Sequence, residues 1–333
     1  MTSRARMAAA GSLLLALGGV TASAPAADPA PLRVNAFPGL GNLAIFVGQT
    51  KGVFARHGLR VDLQFTPNST VQREGLAKGA FEIAHTAADN AVAMVETAGA
   101  DVIIVMGGDS SLNQLFVQPE ITSVADLRGK IAVVDAPNTA YALQLKKILL
   151  MHGLVAGRDY TIKPAGGTIT RLRLMQESKE NAAAMLNPPF SILAEQAGFR
   201  SLGWAVKLIG PYQASNAVVL RAWAKGHADT LERYIKAYVE SLRWTLSPAN
   251  RAEAAGLLAE RLKIPPEVAA KAWDLAADPV GGFARDAKFD LEGFRNVLAL
   301  RAEIEGQWGG KPPAPDKYVD LSYYDRALAA LGK

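Results

Sequence analysis

The strongest constraint on this chain is an alternation of short apolar runs with helix-length segments, carried through twice in succession. In the first series, Leu32–Ala36, Leu59–Phe65, Phe81–Ala84 and Val102–Met106 have the length and composition of strands, with helices over Leu43–Phe54, Val71–Lys78 and Ala91–Ala98 between them. In the second, strands over Lys130–Val134, Tyr160–Lys163 and Ala182–Leu186 are separated by helices over Thr139–His152 and Ile169–Gln176, and a helix over Phe190–Ala197 follows. Strands separated by helices of this length argue for parallel βαβ units, so two α/β modules in series are expected. Leu115–Gln118 is a further extended segment between them, and Asn216–Leu220 is the last strand.

Beyond residue 220 the pattern is almost entirely helical. Leu231, Tyr234, Ile235, Tyr238, Val239 and Leu242 share one helical face, with Glu232, Arg233 and Lys236 off it, which marks a helix packed on a core. Further helices are expected at 251–262, 267–276, 291–305 and 324–331, the last after the stiff connector Pro312–Pro315. A length of 333 residues suits two domains, each with its own core.

The amino terminus has the organisation of an export signal. Arg4 and Arg6 precede an uncharged stretch over Met7–Val20, and small residues over Thr21–Ala27 supply a cleavage site. The apolar stretch falls short of the roughly 20 residues that span a bilayer. Cleavage after Ala26 or Ala27 removes two arginines and lowers the formal charge from +5 to +3. The basic residues are scattered, with no run that would mark a nucleic-acid surface. With no cysteine in the chain, disulfide scaffolds, thiolate metal sites and cysteine nucleophiles are excluded. No lipid-anchor cysteine follows the apolar stretch, so a soluble, exported protein is expected.

In open α/β sheets ligands bind beyond the carboxyl ends of the strands, where helix amino termini present free N–H groups and partial positive charge. Six turns occupy that position: 37–42, 86–90, 108–111, 136–141, 166–168 and 187–189. Their small residues permit close backbone approach, and their Asn, Ser and Thr can cap a helix or bond a ligand. The four histidines form no metal-binding pair, and no serine-nucleophile elbow, phosphate loop or dinucleotide fingerprint occurs. No cofactor, metal or catalytic residue is therefore expected.

The same residues carry a resemblance. Gly39-Leu-Gly-Asn-Leu-Ala-Ile-Phe-Val47 followed by Lys51–Val61, then Ala77–Ala84, Ile121–Lys130 and Asn187–Phe199, resemble the periplasmic substrate-binding proteins of the aliphatic-sulfonate, nitrate and taurine type, the NMT1/THI5-like family. The resemblance implies a type II periplasmic-binding-protein fold: two α/β lobes joined by two hinge strands, with a helical carboxyl-terminal extension on lobe I. It places a signal peptide at 1–27, lobe I at 28–115 plus 216–333 and lobe II at 116–215, with the crossings near Leu115–Val117 and Asn216–Leu220. It implies a monomeric solute receptor in the periplasm, without enzymatic activity, that captures a small organic ligand and delivers it to an ABC permease in the inner membrane. No nucleic-acid partner is implied. Relatives of the fold leave two alternatives open: a receptor for a pyrimidine or thiamine precursor, and an enzyme of thiamine-pyrimidine or menaquinone synthesis. A partner of a membrane sensor kinase is a third.

Carried onto this chain, the resemblance assigns ligand contact to Gly39, Leu40, Gly41 and Asn42 in the first loop, and to Thr86, Asp89 and Asn90 after the third strand. Ser110 and Ser111 follow the fourth strand; Asn138, Thr139 and Tyr141 open the second lobe's first helix. Gly167, Thr168, Asn187 and Pro188 complete the set. Asn187-Pro188 stands where sulfonate binders of the family carry Asp-Pro. An asparagine adds no negative charge, which favours an anionic or neutral ligand, sulfonate- or carboxylate-like. Asp89 either caps its helix or meets a donor on the ligand. His85, at a strand end, is the one histidine placed to line the cleft. Arg171 and Arg173, the nearest cations, are expected on a solvated helix face.

Overall fold

The computed structural model describes residues 1–2, 29–110, 112–279 and 281–332. The expected signal peptide, apart from its first two residues, and Ser111 lie outside the described residues.

The first series folds as β1 (Ala30–Ala36), α1 (Leu43–Thr50), α2 (Val53–Arg56), β2 (Leu59–Phe65), α3 (Ser69–Ala77), β3 (Ile83–Ala87), α4 (Ala88–Ala98) and β4 (Val102–Asp109). The second comprises β5 (Gln114–Val117), β6 (Ile131–Val134), α5 (Ala140–Met151), β7 (Thr161–Pro164), α6 (Thr168–Glu177), β8 (Asn181–Leu186), α7 (Phe190–Gln196), β9 (Arg200–Trp204) and α8 (Ala205–Ile209). Then come β10 (Ser215–Leu220), α9 (Arg221–Gly226), α10 (Ala228–Thr245), α11 (Arg251–Leu262), α12 (Pro266–Ala276), α13 (Leu291–Glu305) and α14 (Ser322–Leu331). The single helix expected over 43–54 is broken in two, because Gly52 adopts a left-handed conformation with φ of 66° that ends a right-handed helix.

These strands form two five-stranded sheets of equivalent order, β2-β1-β3-β10-β4 and β7-β6-β8-β5-β9. In each, the first three strands are parallel and the fourth runs antiparallel to its neighbours. That fourth strand is where the chain enters the sheet from the other lobe: it leaves the first sheet after Asp109, joins the second at Gln114, and returns at Ser215. β9 is an edge strand absent from the sequence expectation, since Arg-Ser-Leu-Gly-Trp carries neither an apolar run nor clean alternation.

α10 lays its expected stripe on the first sheet: Leu231, Tyr234, Ile235, Tyr238, Val239 and Leu242 are all buried. Asn68 starts α3 by accepting a hydrogen bond from Val71 N at 2.9 Å, and Asp290 starts α13 by accepting from Gly293 N at 3.0 Å. The outer edge of β4 is covered by the carboxyl-terminal segment, with Ile104 N donating to Tyr318 O at 2.8 Å and Asp320 N to Ile104 O at 2.9 Å. An edge so covered offers no free ladder for another chain. Among the described residues no helix is long and apolar enough to cross a membrane.

Gly107 in β4 shows how tightly the carboxyl-terminal region is applied. A β-carbon there would stand 2.5 Å from the Lys288 carbonyl oxygen, an immobile backbone atom. Gly107→Ala should therefore destabilise the protein by about 1–3 kcal/mol, as overpacking does. Urea unfolding of the purified variant checks this; an unchanged midpoint would mean that residues 286–289 move freely.

Candidate functional site

The carboxyl ends of both sheets face each other across the lobe boundary, and a cavity of about 100 Å³ lies between them. From the first lobe come Phe37, Gly39, Gly41 and Asn42 ahead of α1, His85, Thr86 and Ala87 ahead of α4, and Asp109 at the end of β4. The second lobe supplies Asn113, Tyr141 at the start of α5, Thr168 at the start of α6, and Asn187 before α7. The amino termini of α1, α4, α5 and α6 thus converge on one small volume, each bringing the partial positive charge of its helix dipole. Among the described residues no lysine or arginine lines it.

Eight of the expected contact residues line this cavity: Gly39, Gly41, Asn42, His85, Thr86, Tyr141, Thr168 and Asn187. Others have different employment. Leu40 is buried in the core beneath α12, although its N–H reaches Pro188 O at 3.4 Å. The Asn42 amide donates to Phe37 O at 2.6 Å and Gly39 O at 3.3 Å, which shapes the loop. Asn90 donates to Ser69 Oγ at 3.0 Å and to Thr86 Oγ1 at 2.7 Å, behind the lining. The Thr139 hydroxyl donates to Ala136 O at 3.0 Å. Ser110 lines a neighbouring, larger cavity.

Asp89 does not line the cavity; its carboxylate serves the start of α4, accepting from its own backbone N–H. It is wholly buried in the first turn of α4, where the Tyr212 hydroxyl donates to Oδ2 and Arg301 stands 3.5 Å from Oδ1. Burial pushes its carboxyl up, opposed by Arg301 and Tyr212. Arg173 is exposed, as expected for a solvated face, but Arg171 is fully buried. Its guanidinium donates to Gly166 O at 2.6 Å, to Met185 O at 3.0 Å and to Thr168 Oγ1 at 2.9 Å, and lies 4.2 Å from the centre of the Tyr141 ring. The expectation of a solvated face fails for Arg171, which shares the buried face of α6 with Thr168, Leu172 and Met175, where carbonyls at the β8 end take its donors.

That arginine fixes the polarity of the site. Arginine can only donate, so Thr168 Oγ1 accepts from it and passes its own proton to Asn187 Oδ1, 2.9 Å away. The Asn187 amide nitrogen is left as the donor. Asp109, in the turn 108–111 whose serines are the expected contacts, brings a carboxylate to the lining. Asn113, Tyr238 and Phe283 also line the cavity and were not foreseen. They come from a crossover, from α10 and from the α12–α13 connection, none of which is a strand-to-helix turn.

Contacts between lobes close both rims. The Ser69 hydroxyl donates to Asp135, Gly167 N to Pro67 O at 3.0 Å, and Arg73 to Asn138 Oδ1 at 3.3 Å. Arg301 donates to Asn138 O at 3.3 Å, and Lys146 and Lys147 of α5 pair with Glu305 and Glu303 of α13, each at 2.7 Å. The helical extension of lobe I therefore also grips lobe II.

His85 Nε2 lies 2.7 Å from the Tyr234 hydroxyl, and its ring stacks on Tyr238 with centroids 5.1 Å apart. Burial lowers its pKa to about 4, so the ring is neutral at physiological pH. A base whose native pKa lies below its unfolded value costs stability on acidification, because the unfolded chain takes the proton first. Its effect should be nil above the unfolded value of about 6.5 and should grow as pH falls towards 4. It reaches about 3 kcal/mol in full. The difference between wild-type and His85→Gln unfolding free energies, measured from pH 4 to 8, isolates this dependence. A flat difference curve would show the native ring taking its proton normally.

Two lobes of equivalent sheet order, enclosing a cavity between opposed strand ends, define the periplasmic-binding-protein fold. The chain belongs to the NMT1/THI5-like family, whose model matches residues 42–252. It is similar in structure to a protein of Bordetella bronchiseptica RB50, with a TM-score of 0.79 at 17% identity over 92% of this chain and 99% of that one. The periplasmic nitrate-binding protein NrtA of Synechocystis PCC 6803 gives 0.74 at 13% identity, over 91% and 89%. The alkanesulfonate-binding protein SsuA of Xanthomonas axonopodis pv. citri, bound to MOPS, gives 0.67 at 19% identity, over 87% and 96%. No curated protein matches the chain.

Proposed function

We propose that this protein is an exported receptor that captures a small organic solute between its lobes and presents it to an ABC permease, without transforming it. The observation that carries this reading is the interlobe cavity itself, to which each lobe contributes helix amino termini and polar side chains. Closure about the two crossovers would bury the solute, and a permease touching both lobes would read the closed form. The nitrate and alkanesulfonate binders of the same fold support an anionic group on the ligand, held here by helix amino termini and the Asn187 amide in place of a cation.

The test is a thermal-shift screen of the mature protein against sulfonates, carboxylates, aromatic acids and pyrimidines, with the bound compound recovered and weighed. A ligand at 100 times its Kd should add about 2.7 kcal/mol of stability, and it should leave the complex unaltered in mass. Recovery of a product instead of the compound supplied would favour the enzyme reading.

A further inference from the structure

Among the described residues, Asn113 alone both lines the interlobe cavity and carries a buried side-chain oxygen without a hydrogen-bond partner. It lies on the crossover from β4 to β5 and is 3% exposed. Its Nδ2 donates to Gln144 Oε1 of α5 at 2.9 Å, while Oδ1 meets no donor. Leaving a buried acceptor unmet is costly, so such an oxygen at a cavity wall calls for a donor on whatever the cavity takes.

Which way this amide faces is set by a relay behind the wall. Asp89 is paired with Arg301 and accepts the proton of the Tyr212 hydroxyl. Having given up its one proton, the Tyr212 oxygen can only accept, and Gln144 bonds to it. Gln144 therefore turns its nitrogen to Tyr212 and its oxygen to Asn113, which answers with its own nitrogen. The asparagine oxygen is left to the cavity. The relay from Arg171 through Thr168 does the opposite to Asn187, leaving a nitrogen donor. Asp109, the carboxylate in the lining, already has a partner, and the positive ends of the helix dipoles disfavour a cation. A volume of about 100 Å³, below the roughly 300–1,000 Å³ usual for small-molecule pockets, suits a short solute.

We infer that Asn113 is a specificity-determining residue and that the solute is a short acid bearing an uncharged O–H or N–H donor. The acidic end faces Asn187 and the helix amino termini, and the donor meets Asn113 Oδ1. This rests on the receptor reading and deepens it by naming the class of solute. Gln144, which holds the amide this way round, is a positioning residue.

Matched pairs of acids, in which a methyl group replaces the donor at nearly equal size, test this by isothermal titration of the mature protein. The pairs are glycolate against propionate, 3-hydroxypropionate against butyrate, and oxamate against pyruvate. In at least one pair the donor-bearing member should bind about tenfold or more tighter, because the methyl group leaves the acceptor unmet. Asn113→Leu should bring the two members of that pair to within about twofold of each other, since neither then finds an acceptor. Gln144→Leu leaves Asn113 in place but frees its amide to turn, so it should shrink the same ratio; a merely structural loss would weaken both members alike. Melting curves of the unliganded variants confirm that each folds.

Equal binding within every pair by the wild-type protein would overturn the inference, as would a ratio unchanged in Asn113→Leu. A ratio lost in Asn113→Leu but kept in Gln144→Leu would overturn the positioning role of Gln144. If none of these acids binds while other sulfonates or carboxylates do, the inference fails and the receptor reading stands. If no solute of any class binds, the receptor reading falls with it.

Discussion

Replacing Arg301 by methionine should destabilise the protein by about 3–5 kcal/mol, the penalty for stranding one member of a buried ion pair. Arg301 and Asp89 are both wholly buried, 3.5 Å apart. The guanidinium also donates to Gln307 Oε1 at 2.9 Å and to Asn138 O at 3.3 Å. Without it, the Asp89 carboxylate keeps the Tyr212 hydroxyl and its own backbone N–H. The double variant Asp89→Asn, Arg301→Met should be more stable than Arg301→Met alone, because no charge is then left in the interior. The pH dependence has a definite sign. Asp89 is an acid whose native pKa is raised by burial, and losing Arg301 raises it further. Its native state then holds a proton that the unfolded chain gives up, so the deficit of Arg301→Met should widen as pH rises from 4 towards 8. Urea unfolding of the four members of the cycle at two pH values decides the matter. Additive single effects would mean that the two groups do not interact.

This pair also shows where sequence reasoning reaches its limit. The strand and helix alternation, the stripe on α10 and the turns at the strand ends are local patterns, and each is visible within a window of a dozen residues. Asp89 and Arg301 are 212 positions apart, and nothing near either one names the other. An acid in the first turn of a helix reads as a dipole partner or a ligand contact, and it becomes the anchor of an interlobe contact only when α13 packs beside α4. Asp109 makes the same point: its turn is a local pattern, but Leu242 and Phe283, which line the cavity with it, arrive from the distant helical region. β9 went unseen because an edge strand of charged, small and aromatic residues has no periodic signature. In Gly52 the signal was present, as a glycine inside an apolar helical run, and the structure reads it as a stop.

Arg171 is the second position where a single change should have a large effect, and here the effect should reach the site. Its donors satisfy Gly166 O, Met185 O and Thr168 Oγ1 inside the second lobe. Arg171→Met keeps much of the volume but removes those donors, and should cost about 2–4 kcal/mol at about 1–3 for each buried carbonyl left short. Arg171→Lys should recover little of this, because one ammonium cannot reproduce a planar fork that reaches three acceptors. The same change frees Thr168 to turn its hydroxyl away from Asn187, so the amide is no longer held with its nitrogen as the donor. Solute affinity should therefore fall about tenfold, the worth of one oriented hydrogen bond. Thr168→Val separates the two roles. It preserves the shape of the side chain and leaves the carbonyls of Gly166 and Met185 with their donors, so it should lose affinity to a similar extent with a smaller loss of stability. Calorimetric titration of both variants with the solute found in the screen, alongside chemical unfolding, distinguishes them. If Arg171→Met lost stability but bound the solute as tightly as wild type, the relay through Thr168 to Asn187 would play no part in recognition.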